Sequence, residues 1–192
     1  MSDAPQSESQ PARVAWAQIA RRIRVPVSFL AAIIYVWLAR PSWPSLLIGI
    51  VVMIPGLALR AFASGHVQKD KQLTTSGPYA YTRNPLYLGS LIMASGFAIA
   101  ARSWWIVALM LLVFVLIYAP VIAGEERFLR QTFPEYEDYV RSVPRILPRL
   151  TPYRTQTSEY SSARYWKHRE YQASLGCLIM LAILVAKLVI FS

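Results

Sequence analysis

The chain has 192 residues, 55% hydrophobic and 16% charged, with 20 Lys+Arg against 10 Asp+Glu and a net charge of +10. Ordinary soluble domains carry roughly 25% charge, so this composition excludes a disordered chain and argues against a small soluble globule, whose surface needs polar cover. One cysteine, Cys177, excludes an intramolecular disulfide framework, and with only His66 and His168 beside it no metal site is expected.

Charge-free windows mark membrane spans, because ionised groups are costly in the bilayer core. They hold 15 residues between Arg24 and Arg40, 19 between Arg40 and Arg60, and 18 between Arg83 and Arg102. A further 22 lie between Arg102 and Glu125, and 16 between Glu170 and Lys187. A spanning helix needs about 17–25 residues. The first and last windows reach that length if their flanking cations snorkel to the interface. The predicted class is therefore all-α: a polytopic integral membrane helix bundle of five spans with a cytoplasmic cofactor cleft.

The basic residues are distributed unevenly. Arg13, Arg21, Arg22 and Arg24 precede the first span; Arg60, Lys69, Lys71 and Arg83 border the second connection; nine more lie between Arg127 and Arg169. In a five-span topology these share one side, and only Arg40 and Arg102 face the other. The positive-inside rule then puts the N-terminus and the motifs described below in the cytoplasm and the C-terminus on the opposite side. It accounts for the charge, so no nucleic-acid partner is expected, while membrane lipids are.

In chain order, residues 1–24 form a polar, then basic, cytoplasmic N-terminus, with residues 1–12 expected to be disordered and 13–24 an interfacial helix. The core covers 25–148, with spans at 25–39, 44–59, 86–101 and 104–123. Pro55-Gly56 is expected to kink the second span. Spans three and four are joined by only Arg102-Ser103 and must form an antiparallel hairpin. Trp43, Trp104 and Trp105 suit an aromatic belt. Residues 149–172 read as a cytoplasmic linker and 173–192 as a fifth transmembrane helix, either a packing helix or a wall past which lipid enters.

The chemistry-bearing residues flank the hairpin. Gly77-Pro78-Tyr79-Ala80-Tyr81-Thr82-Arg83-Asn84-Pro85-Leu86-Tyr87-Leu88-Gly89 precedes it and Gly124-Glu125-Glu126 follows it, so both face one end of the bundle. Gly77-Pro78 is a turn. Asn84 suits an N-cap and Pro85 the first helical position, and a helix start offers free N–H groups to an anion. Arg83 adds a fork for carboxylate or phosphate. Tyr79, Tyr81 and Tyr87 offer aromatic faces to a base or a cation. Glu125 and Glu126 suit an ammonium group or ribose hydroxyls. The set fits a zwitterionic, aromatic, cationic cofactor beside a lipid-accessible cleft.

With Tyr136-Glu137-Asp138-Tyr139 and Val143-Pro144-Arg145 after the glutamates, the whole series resembles the isoprenylcysteine carboxyl methyltransferase family, to which the phospholipid N-methyltransferases are similar in this region. The resemblance covers about residues 64–148. It implies an integral membrane enzyme that uses S-adenosylmethionine without a Rossmann fold. It implies cofactor contacts from Gly77, Pro78, Tyr79, Tyr81, Arg83, Asn84, Pro85, Tyr87, Glu125 and Glu126, with Tyr136, Tyr139 and Arg145 covering or lining the cleft. The family often has His where Asn84 stands; asparagine hydrogen-bonds but does not titrate near neutral pH. The chain also continues into a fifth span.

The implied reaction transfers a methyl group to a lipophilic small molecule or lipid-modified substrate, with Arg83, Glu126 and Arg145 as the catalytic set. An isoprenylcysteine-like carboxylate is already ionised and needs orientation, from Arg83 or Arg145. A phosphatidylethanolamine-type amine needs a base, Glu126 or Glu125. The rival class is a non-catalytic membrane accessory protein with the same fold, and cofactor binding separates the two.

Overall fold

The computed structural model describes residues 9–67, 72–153 and 159–190. The expectations for residues 1–8, and for Lys69, Lys71 and Arg154, lie outside them. The described residues form helices and no strand. They are α1 (Ser9–Leu38), α2 (Trp43–His66), α3 (Pro85–Ala101), α4 (Trp104–Val113), α5 (Ala119–Thr132), α6 (Tyr136–Ser142), α7 (Ser162–Lys167) and α8 (Tyr171–Ile190). A single 3-10 turn, Gly77–Ala80, precedes α3, and a π turn, Phe114–Tyr118, joins α4 to α5. Three helical stretches are long and apolar enough to cross a membrane: Trp43–His66, Trp104–Thr132 and Tyr171–Ile190. Val25–Leu38 and Pro85–Ala101 are shorter apolar helices. The chain is an integral membrane helix bundle.

The expected interfacial helix and first span are one helix. Ala, Arg, Gln and Ile between Ser9 and Arg24 favour helix, so nothing ends α1 before Leu38. Pro55 lies inside α2, which is helical on both sides of it. A capping box starts α2: the Ser42 hydroxyl accepts from the Ser45 N–H at 3.4 Å, and the Ser45 hydroxyl accepts from the Ser42 N–H at 3.0 Å.

Helix α3 leads into α4 through Arg102, held at φ 52°, and Ser103, but its main partner is α2. Glycines seven apart on each helix let the two run antiparallel in close contact. A Cβ on Gly56 would stand 2.7 Å from the Gly89 carbonyl oxygen, and one on Gly49 2.6 Å from that of Gly96.

The π turn has a local cause. Pro120 lacks an N–H and its ring crowds the carbonyl four residues back, which belongs to Leu116. That carbonyl accepts the Trp16 indole N–H at 3.0 Å instead, fastening α1 to the turn. Beyond it the helix continues to Thr132, past the predicted end of the fourth span.

The bundle has two ends. At one, Tyr35, Leu46, Ala101, Ile106 and Leu184 form an apolar core, ringed by exposed Trp37, Trp43, Trp104 and Trp105. Here Lys187 donates to the carbonyls of Val36 (2.6 Å) and Trp37 (3.2 Å), groups that the end of α1 leaves without helical partners. At the other end, Tyr136, Tyr139 and Val143 form a second core. The N-termini of α3 and α8 and the C-terminus of α2 meet there.

Candidate active site

The site is built where α3 begins. Chain 80–84 is held by the segment that follows α6: Arg83 N–H donates to Pro144 O at 3.0 Å, Arg149 N–H to Tyr81 O at 2.9 Å and Tyr153 N–H to Ala80 O at 3.0 Å. The Thr82 hydroxyl reaches the Arg145 and Ile146 carbonyls at 3.2 and 3.0 Å. This pairing brings Arg145 over the end of α5. Gly77, at φ 58°, turns against the buried His66 ring, where a Cβ would come within 2.6 Å.

Glu126, 4% exposed, is the centre. Arg145 Nε donates to both of its oxygens, at 3.1 and 3.0 Å, and Arg145 Nη2 donates to Oε2. Asn84 Nδ2 lies 3.3 Å from Oε1 and donates to the Arg145 carbonyl at 3.1 Å. Arg83 Nη2 stands 3.7 Å from Oε1. Asn84 therefore occupies the N-cap position without capping through its side chain. It ties α3 to Glu126 instead. The bond to Glu126 raises the Arg145 pKa.

Arg83 Nε and Nη1 and the Tyr136 hydroxyl are buried without hydrogen-bond partners. Burial pushes the Tyr136 hydroxyl up to about 12, with the Glu126 carboxylate adding to the effect and Arg83 opposing it. A buried guanidinium with two unused donors costs free energy unless something accepts from them.

Glu125 faces a second direction. It accepts from the Tyr87 hydroxyl at 3.1 Å, and Tyr87 meets Tyr118 edge-on at 6.1 Å. The hydroxyl of half-buried Tyr79 is pushed above its usual range by desolvation, with Glu125 and Glu170 adding to it. Its carbonyl accepts from the Tyr139 hydroxyl at 2.6 Å. Tyr136 and Tyr139, 1% and 2% exposed, lie in the core beneath α6. Pro78 is buried, and its carbonyl accepts from the Tyr81 N–H at 3.2 Å; the Tyr81 side chain is exposed. Pro85 is buried at the first turn of α3.

Three residues join the site that sequence reasoning missed. Arg60 of α2 donates from Nε to Glu170 at 2.6 Å, and from Nη1 to the Leu86 carbonyl at 3.3 Å and to the Ser90 hydroxyl. Glu170 comes from the stretch read as a linker. That stretch packs on α2: Ser161 N–H donates to Gly65 O at 3.1 Å and Tyr160 stacks on Phe62 at 6.1 Å. The available signal was two isolated charges, each bordering a long apolar window. Among the described residues no group of three or more His, Cys, Asp or Glu is arranged to hold a metal.

Residues 51–136 match the phospholipid methyltransferase family. This stretch, just under half of the chain, is similar to the phospholipid methyltransferases. It runs from α2 through α5 into the start of α6 and carries every motif residue before Tyr139. The chain is 40% identical over 91 residues to the cobalt-zinc-cadmium resistance protein CzcN of Cupriavidus metallidurans, covering 47% of this chain and 42% of that one. It is 35% identical over 91 residues to the nickel-cobalt-cadmium resistance protein NccN of Alcaligenes xylosoxydans xylosoxydans, covering 47% and 43%. It is 36% identical over 81 residues to the protein-S-isoprenylcysteine O-methyltransferase of Schizosaccharomyces pombe, covering 42% and 34%. Each match thus spans less than half of the relative. No solved structure matches the chain. The family resemblance read from the motifs holds, and the matched stretch is framed by α1 and α8, which lie outside it.

Proposed function

We propose that the protein transfers a methyl group from S-adenosylmethionine to the carboxylate of a lipophilic, isoprenylcysteine-like acceptor. The observation that carries this reading is Arg83, buried, with Nε and Nη1 unpartnered beside an equally unpartnered Tyr136 hydroxyl. Nε and Nη1 lie on either side of Nη2, which leans on Glu126, so they offer charge-assisted donors in two directions, each suited to an oxygen of a carboxylate. The cofactor has one, and Arg83 with Tyr136 would hold it, while Glu125 would take its ammonium group or ribose hydroxyls. Bound there, the cofactor supplies an electrophilic methyl group.

The remaining work is orientation. Glu126 is clamped by Arg145 and Asn84, with Arg83 beside it. With its oxygens held by Arg145 and Asn84, Glu126 serves to position the arginines. An acceptor that arrives ionised needs no base. Arg145, whose side chain is half exposed at the rim, would steer the acceptor carboxylate, and the apolar surroundings would strengthen that contact by excluding water. The site end faces the cytoplasm, on the distribution of Lys and Arg.

One observation favours a second reading. Glu125 sits beside Tyr87 and is not clamped by an arginine. It could accept the proton of a phosphatidylethanolamine-type amine.

The test is calorimetric titration of the detergent-purified protein with S-adenosylhomocysteine, followed by labelled-methyl transfer to prenylcysteine and phosphatidylethanolamine acceptors. Micromolar binding is expected, weakened at least tenfold in Arg83→Ala, with transfer to the carboxylate. Folded wild-type protein that binds none would remove the methyltransferase reading and favour an accessory role, to which the resistance-protein names of two relatives would then give substance.

A further inference from the structure

The chain turns sharply between α7 and α8. The Glu170 N–H donates to the Tyr165 carbonyl at 3.3 Å, and the Arg169 N–H to the Trp166 carbonyl at 3.0 Å. This pair of bonds closes a helix through one residue in the left-handed region, a place that favours glycine. Here that residue is Arg169, at φ 54°. Packing does not call for an arginine there, because its side chain is exposed. Lys167 is exposed as well, and Trp166 is 62% exposed. Among the described residues the Lys167 and Arg169 side chains have no hydrogen bond or ion pair. Glu170 faces the other way: it is buried and takes Arg60 at 2.6 Å. The one other acid in residues 159–190 is Glu159, eight residues before Lys167. The outward side of the turn is thus basic.

Its depth follows from the length of α8. Tyr171–Ile190 is 20 residues, about 30 Å of helix, which matches the hydrocarbon thickness of a bilayer. With α8 across the membrane, Tyr171 stands at one boundary, and Trp166, Lys167 and Arg169 lie just beyond it among the headgroups. The Trp166 ring centre is 5.3 Å from that of Tyr171 and 5.7 Å from that of Tyr165. Amphipathic rings gather at this level. Exposed Leu175, Leu178 and Ile179 follow one and two turns into α8 and offer acyl chains an apolar flank.

We infer that the α7–α8 turn binds the headgroup of an anionic phospholipid in the leaflet at the site end, with Lys167 and Arg169 on the phosphate and Trp166 along the glycerol. Two cations with no acid beside them repel the ammonium of a zwitterionic headgroup, and an anionic headgroup carries none. The inference stands apart from the methyl-transfer reading. A lipid held here fixes the depth at which α8 begins, and with it the level at which Glu170 meets Arg60.

Native mass spectrometry of the protein in maltoside micelles tests this, with equal amounts of dioleoyl phosphatidylglycerol or dioleoyl phosphatidylcholine added. The wild type is expected to retain phosphatidylglycerol at least fivefold more than phosphatidylcholine. Lys167→Gln combined with Arg169→Gly should lower that retention at least fivefold. Glycine suits the left-handed turn, so this variant should keep or raise the thermal midpoint, which separates loss of lipid from loss of fold. Arg127→Gln combined with Arg141→Gln removes the same charge from two exposed arginines at the site end and should change retention less than twofold. Phosphatidylglycerol should also raise the midpoint of the wild type at least twice as much as that of the Lys167→Gln, Arg169→Gly protein. Equal losses in the two double variants would show diffuse attraction to basic surface and overturn the inference. So would equal retention of phosphatidylcholine, or displacement of the lipid by millimolar glycerol phosphate, which carries the phosphate without the acyl chains.

Discussion

Tyr136 shows how one atom separates a structural role from a ligand-holding one. Its ring is core, packed with Tyr139 and Leu129, while its hydroxyl is buried against Arg83 with no hydrogen bond of ordinary geometry. Removing an unsatisfied buried hydroxyl is neutral or stabilising. Tyr136→Phe is therefore expected to keep or raise the thermal midpoint, yet to weaken S-adenosylhomocysteine about 5–10-fold, the size of one lost hydrogen bond. A lowered midpoint with unchanged affinity would count against the role given to the hydroxyl. The same group makes stability pH-dependent. Its unfolded proton leaves near 10.0 and its folded one near 12. The folded form holds the extra proton between those values, so stability falls as pH rises through that window, and Tyr136→Phe abolishes this part of the fall. Much of the site was readable residue by residue. Arg83, Asn84, Glu126 and Arg145 converge as the motif order suggests, because the segment after α6 pairs with residues 80–84. The division of labour between the glutamates was not readable. It depends on rotation about α5, which places Glu126 under Arg145 and Glu125 toward Tyr87.

Among the elements, the α2–α3 pair is the closest-fitted. Its two glycine pairs leave no room for a methyl group against backbone oxygen. Gly56→Ala should destabilise the folded protein by about 1–3 kcal/mol through overpacking, despite the helix propensity it adds. Denaturation in mixed detergent micelles, compared with Gly176→Ala, where a Cβ would meet no atom within 4 Å, measures the contrast; equal midpoints for the two variants would contradict the packing described. Hydrophobic windows located the helices well, since the cost of a charge in lipid is a property of the residues themselves. They said nothing about which helix faces which. The short Arg102-Ser103 link suggested α3 against α4, whereas close packing follows small residues and α2 has them. The glycine spacing was visible, but only pairing the two series reveals it. The continuity of α1 was obscured because polarity changes near Arg24 while helix propensity does not.

Over the whole molecule, the stretch after Pro148 turns a family core into this protein. Glu170 reaches Arg60 across the site end, α8 borders a cavity of about 560 Å³ shared with α1, α3 and α4, and α7 lies against the end of α2. The Arg60–Glu170 pair is largely enclosed, with side chains 22% and 10% exposed. Removing one charge strands the other. Glu170→Gln is expected to cost about 1–3 kcal/mol of stability and to weaken acceptor use more than cofactor binding, because Arg60 also holds Ser90 at the cavity rim. Thermal denaturation beside acceptor KM and S-adenosylhomocysteine affinity checks it. A variant with wild-type KM and midpoint would remove Glu170 from the site.

The bond from Lys187 to the end of α1 sets an order of birth. A ribosome releases Val36 about 150 residues before Lys187 emerges, so α1 already lies in the bilayer when the ammonium arrives. Lys187 lies in the last turn of α8, where a charge costs less than the roughly 2.5–3.5 kcal/mol of the bilayer centre, and the waiting carbonyls offset part of what remains. The first helix made is thus the docking template for α8, and a nascent chain deprived of α1 would deliver α8 to the translocon with its charge unanswered.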